Sequence, residues 1–269
     1  MKSREEAHQG KVGLKNVPPN TDRKFVFAGA ALKKSWERLH RGDREPFPHD
    51  DAVREAWRLY HQGQFRKACE AGLAIGLDGY NAANKAVMIF ATYIEDDEER
   101  KLKLFQDISA RCDELQQAQP KNANAYYFQA YALGRYSQGI SVLKALTQGL
   151  GGKIKAALET ALKLEPKHAE AYSALGAYHA EVVDKVGAMV AKLTYGATKD
   201  LAVKHFESAL QLAPDSAIAC IEYAHALVIL FGQSRMNQAI KLYEKAAAAT
   251  PVDAMELLDV ELAKSELEK

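Results

Sequence analysis

From about residue 50 onward, apolar residues recur at steps of three and four, in runs of roughly 12 to 25 residues that prolines bound rather than interrupt. β-type alternation is scarce, so the pattern predicts an all-α chain. Three stretches end alike: "AALETALKLEPKHAEAY" (156–172), "KHFESALQLAPDSAIAC" (204–220) and "KLYEKAAAATPVDAMEL" (241–257). Each reads as a helix with small alanines at packing positions, a stop at proline and a new helix, which marks an internal repeat. Pro120, Pro166, Pro214 and Pro251 punctuate the units at intervals of 46, 48 and 37 residues.

The longer intervals contain an insertion. In "ALGAYHAEVVDKVGAMVAKLTYG" (174–196), Leu175, Tyr178, Val182, Val186, Met189 and Leu193 step by 3, 4, 4, 3 and 4. That stripe predicts a first helix that runs on by about 12 residues, on the order of 18 Å, with Gly187 as the place where it can kink or split. The preceding unit repeats the feature: "GISVLKALTQG" (139–149) aligns with "GAMVAKLTYG" (187–196) with one gap, pairing Val142 with Val190, Lys144 with Lys192, and Leu146 and Thr147 with Leu193 and Thr194. Two adjacent extensions predict a shoulder or groove beside the stack, with Gly149, Gly151, Gly152 and Gly196 easing the turns that follow.

The flanks read as caps. Phe25, Ala28, Leu32, Trp36 and Leu39 predict an amphipathic helix over 21–40, started by Asn20 or Thr21. "HRGDREPFPHDD" is a loop, and "DAMELLDVELAKSELEK" a charged helix whose outer face meets water.

Specific positions carry a family resemblance. In the unit 169–216, Tyr172, Leu175 and Gly176 fit a first helix, and Ala202, Phe206, Ala209 and Pro214 fit a second. The next unit offers Ala224, Ala239, Tyr243, Ala246 and Pro251, with Cys220 in place of a large aromatic; the preceding one offers Tyr126, Ala130, Ala161 and Pro166. Trp57, Gly63 and Ala68 suggest an earlier, degenerate pair. The chain thereby resembles the tetratricopeptide repeat family, whose unit is a helical hairpin of about 34 residues. The resemblance implies a right-handed α-solenoid of antiparallel helix hairpins with N- and C-terminal capping helices. Its layout would be a flexible arm (1–20), a capping helix and loop (21–49), degenerate hairpins (50–119), three repeats, two of them elongated (120–253), and a final cap (254–269).

For function, the resemblance implies a scaffold that binds a protein or peptide partner on a concave face, lined by first-helix residues off the packing stripe. Here these are Asn124, Tyr127, Tyr131 and Arg135, at steps of 3, 4 and 4, with Glu181 and His225 in later units. Tyr and Arg suit such a face because they bury area while keeping a polar handle. The family's carboxylate-clamp members need Lys and Asn at these positions. This chain instead has Tyr127 with Tyr131, Ser173 with Ala177, and Ile221 with His225, so a peptide C-terminus is not the expected ligand. Residues 131–166 and 195–214 also resemble the T-component of tripartite periplasmic transporters, which implies a small-solute-binding accessory protein as the alternative.

Charge and chemistry add restraint. Residues 1–67 are net +6 and residues 68–269 net −5, leaving a formal net charge of +1, so no whole-molecule field recommends nucleic acid or an anionic membrane. Lys144, Thr147, Lys192 and Thr194, with the opening amides of the helices that follow, form a candidate anion site; the alternative is that the lysines snorkel and the threonines cap. His40, His49, Asp50 and Asp51 invite a metal reading, but no His pair has the i, i+4 spacing of a helical site, and no metal is expected. Cys69, Cys112 and Cys220 suggest neither disulfide nor zinc. No nucleophile elbow, phosphate loop or dinucleotide fingerprint is present, so neither catalysis nor a cofactor is expected. No apolar run reads as a signal peptide or membrane span, which makes a cytoplasmic location the expectation, or a periplasmic one if a leader was removed. Burial of the long stripes between subunits would make a homo-oligomer.

Overall fold

The computed structural model describes residues 25–268. Side chains start most of its helices. Asp50 accepts from the amides of Ala52 and Val53, and Asp97, Asn122, His168, Thr198, Ser216 and Asp253 cap later helices in the same way.

A short helix α1 (Ala31–Leu39) precedes five hairpins. These pair α2 (Asp51–His61) with α3 (Phe65–Ile75), and α4 (Tyr80–Tyr93) with α5 (Glu98–Ala118). In the third, α6 (Ala123–Gln138) is followed by the six-residue α7 (Val142–Thr147) and then pairs with α8 (Leu150–Leu164). Next, α9 (Ala169–Val186) pairs with α10 (Lys199–Leu212), and α11 (Ala217–Phe231) with α12 (Met236–Ala247); α13 (Ala254–Leu267) ends the chain. The expected all-α solenoid of antiparallel hairpins is thus observed.

Packing follows the repeat residues. A Cβ on Gly176 would lie 2.7 Å from Phe206 Cδ2, so this glycine is what lets α9 and α10 approach. Phe206 in turn stacks on Tyr223 of the next hairpin, with ring centroids 5.1 Å apart. Gly176→Val overpacks this contact and lowers stability by about 1–3 kcal/mol, measurable as a shift of the urea midpoint.

Three sequence expectations are corrected. The first helix begins at Ala31 rather than near residue 21, because Gly29 adopts φ +54 just before it; Phe25 and Phe27 reach the core from a non-helical segment. Asn20 and Thr21, the expected caps, lie outside the described residues. The long stripe does not form one helix: α9 stops at Gly187, whose φ of +78 only glycine adopts freely. The chain then makes one helical turn (Ala188–Val190) and a π turn (Ala191–Tyr195).

The third correction concerns α13. Its second half meets water as expected, with Glu261, Lys264 and Ser265 exposed, but its first half does not: nothing from Asp253 to Val260 is fully exposed, and Asp259 and Val260 are buried. The reason is topological. The first helices α2, α4, α6, α9 and α11 form the inner row of the solenoid, and α13 continues that row until it touches α2. Ion pairs fasten the closure. Arg38 of α1 holds Asp215 at 3.0 Å and Glu256 at 2.6 Å, and Arg41 holds Asp215 at 2.9 Å.

By length and composition the stretch Ala217–Ala247 is apolar enough to cross a membrane, but half of its most apolar window is buried within the fold. It is the α11–α12 hairpin, turned at Gly232 with φ +54.

Candidate functional site

The inner row encloses a groove of about 320 Å³. Its walls are largely apolar: Met88 and Ile89 from α4, Ala130 from α6, Ala174 and Ala177 from α9, and Ile218 and Met255 from α11 and α13. The insertions complete one side. Leu146 of α7, Leu150 and Ile154 of α8, and Tyr195 of the π turn all face it, so the paired extensions do build the wall of a groove beside the repeats.

Of the concave positions read from sequence, Tyr127, Tyr131, Arg135 and Glu181 line this groove. Tyr131 and Thr92 share a hydroxyl hydrogen bond of 2.8 Å, and the Arg135 guanidinium sits 5.2 Å from the Tyr131 ring while donating to Glu222 at 2.8 Å. Asn124 and His225 do not line it. Asn124 is buried beneath the groove, donating to Glu45 (2.6 Å) and accepting from His168 (2.9 Å), and His225 is exposed. The candidate anion residues also lie outside it. Lys144, Thr147, Lys192 and Thr194 are exposed; Thr147 donates to the Lys144 carbonyl, and Thr198 rather than Thr194 caps the next helix.

Sequence reading missed the floor. Lys85 of α4 is buried, donating to Asp43 at 2.5 Å and to Glu170 at 3.0 Å, and the Tyr127 hydroxyl donates to Glu170. Burial opposes each charge, but Lys85 is held above the ordinary lysine range by Asp43 and Glu170, and Asp43 well below the carboxylate range by His40 and Lys85. At one end of the groove Tyr93 donates to Asp259, whose carboxyl burial pushes well above its usual range.

The loop residues weighed for metal divide between other tasks. Asp50 caps α2, Asp51 pairs with Arg54, and His49 is exposed. Among the described residues no group of three or more His, Cys, Asp or Glu has a metal-binding arrangement. His40 belongs to a buried chain that runs Asp43, His40, His61, Asp253, with contacts of 2.9, 3.1 and 2.7 Å. Burial pushes His40 down to about 4, so it is neutral near pH 7. Its Nδ1 lies against the Asp43 carboxylate and its Nε2 against His61 Nε2. This chain ties the loop after α1 to the start of α13.

His168 gives a pH signature. Its Nε2–H donates to Asn124 while its Nδ1 accepts from the Ala171 amide, so the fold holds the neutral ring; burial lowers its pKa to about 4. Above pH 6.5 the ring is neutral folded or unfolded. Below that the unfolded chain takes up a proton that the folded one refuses, so stability falls as pH drops from 6.5 to about 4. Expressed as the stability gap between wild type and His168→Asn, this contribution shrinks over that window by at most about 1.4 kcal/mol per pH unit; denaturant titration at several pH values checks it.

Comparison with known proteins bears first on the fold. A thermophilic TPR protein from Thermus thermophilus superposes at a TM-score of 0.57, covering 80% of this chain and 98% of that one at 16% identity. At that identity the likeness concerns the fold alone. No curated protein matches the chain. The resemblance to the transporter T-component gains no support from these matches. The model of the family described as regulator of microtubule dynamics protein 1-3 matches residues 79–269, a span that takes in α4 to α13 and the whole of the groove wall, and the chain belongs to that family.

Proposed function

We propose that this protein is a non-catalytic interaction module whose groove takes an apolar segment of a partner protein, within the control of microtubule dynamics for which its family is named. One observation carries the reading: the inner row presents Tyr131, Arg135 and Glu181 beside an apolar trough, the combination of anchor pocket and polar handle found at binding hot spots. The charged floor of Lys85, Asp43 and Glu170 is spent on internal pairing and fixes the trough's shape. Affinity capture from cell extract, comparing wild type with Ala177→Trp, tests this. A partner retained by wild type and lost by the tryptophan variant supports the reading; retention by both contradicts it.

A second reading has its own observation. Tyr178 lines the groove, and its hydroxyl is buried without a hydrogen-bond partner. A volume of about 320 Å³ lies within the range of small-molecule sites, roughly 300–1,000 Å³. A small, largely apolar ligand with one polar group would pair that hydroxyl. Native mass spectrometry of protein purified from cells tests it: a bound small molecule supports this reading, and an empty groove contradicts it.

A further inference from the structure

The two insertions leave large apolar side chains in water. Met189 is 76% exposed and Leu193 79%, and Val190 and Leu146 are about half exposed. These residues belong to one lip. A Cβ on Gly151 would lie 3.1 Å from the Tyr195 ring, and Lys155 Nζ donates to the Tyr195 carbonyl at 3.0 Å, so the start of α8 and the π turn are in contact.

Charge on this lip departs from that of the chain around it. Residues 139–158 and 185–199 carry six lysines and no Asp or Glu, although residues 68–269 are net −5. Lys155 and Lys199 turn inward to backbone carbonyls, and Lys185 pairs with Asp184 at 2.9 Å. Lys144 and Lys192 are exposed on the same short segments as Leu146 and Leu193, and Lys153 is exposed in the first turn of α8.

We propose that this lip is a docking site for an anionic lipid bilayer. The exposed apolar side chains would enter the boundary between headgroups and acyl chains, and the lysines would sit at phosphate level. Shape favours that partner, because the apolar residues project from a six-residue helix, the single helical turn Ala188–Val190 and a five-residue π turn, which suit a soft surface better than a flat protein interface. A second copy of the chain fits poorly: a two-fold contact would set lysines against lysines. The groove reading plays no part in this inference.

Flotation of the full chain with phosphatidylcholine vesicles, with and without phosphatidylserine, tests it. Wild type is expected to float with the anionic vesicles and to be released by salt. Lys144→Gln with Lys192→Gln should weaken that binding about 25-fold, at roughly fivefold per lysine, and Met189→Ser with Leu193→Ser by about 100-fold, at roughly tenfold per exposed apolar side chain withdrawn from the interface. All four positions are exposed, so both variants keep the wild-type melting temperature. Ala177→Trp, inside the groove, should float as wild type does. Equal binding to neutral vesicles, or undiminished binding by either double variant, overturns the proposal. So does self-association that the serine variant abolishes in the absence of any vesicle binding.

Discussion

Lys85→Met is expected to lower the melting temperature by about 10 °C or more. The ammonium lies between Asp43 at 2.5 Å and Glu170 at 3.0 Å, with 4% of the lysine side chain exposed. Removing it leaves two carboxylates facing each other out of water. Breaking a buried pair from one side costs about 3–5 kcal/mol, and a domain of this size loses roughly 2–4 °C per kcal/mol. Thermal melts monitored by circular dichroism check the magnitude. The double variant Lys85→Met with Glu170→Gln should recover part of the loss, because Asp43 keeps His40 as a partner. A local readout separates this account from general loosening. The Gly42 carbonyl accepts from the Glu170 amide, and Asp43 hangs on Lys85. Hydrogen exchange should therefore rise first in α1 and residues 40–49, before α10 to α12. Uniform acceleration across all helices would contradict the assignment.

Ala177→Trp is expected to weaken partner binding by more than about 30-fold while leaving the fold intact. Ala177 is half-buried on α9 and faces a groove of about 320 Å³, so an indole there fills space that the partner would occupy. The size is that of losing a binding hot spot worth ~2 kcal/mol. Binding is measured by titrating the captured partner's groove-seeking segment, as a synthetic peptide, against each protein. Arg135→Ala is the milder companion. It removes the guanidinium from the Tyr131 face but leaves the cavity open, and should cost less than the tryptophan.

The hairpins were legible because their packing needs particular residue types at particular steps. Gly176 under Phe206 and the prolines between units can be read without coordinates. Tyr127, Tyr131 and Arg135, which line the groove, were reached through the repeat resemblance, which sets first-helix residues off the packing stripe on the concave face. Asn124 failed one turn earlier on the same helix, because Glu45 and His168, distant in sequence, reach it first. The groove floor was hidden: Lys85 meets partners 42 and 85 residues away, and a charged residue in a helical pattern reads as solvated until the fold brings its counterions. Gly187 marks another limit. The apolar period runs on through a break at φ +78, although Met189 and Leu193 beyond it are exposed where Leu175 and Tyr178 before it are buried, so period alone does not reveal the break.

The solenoid's closure was missed as well. The charges of the last helix suggested contact with water, which Glu261 and Lys264 make, whereas Glu256 accepts from Arg38 of α1 and Asp259 from Tyr93 of α4.

The most direct test of the groove as the binding site is hydrogen-exchange footprinting of the full chain with its captured partner. Protection is expected on α4, α6 and α9, around Met88, Tyr131 and Ala177. Protection confined to the outer helices α3, α5 and α10, with those inner helices unchanged, would contradict it.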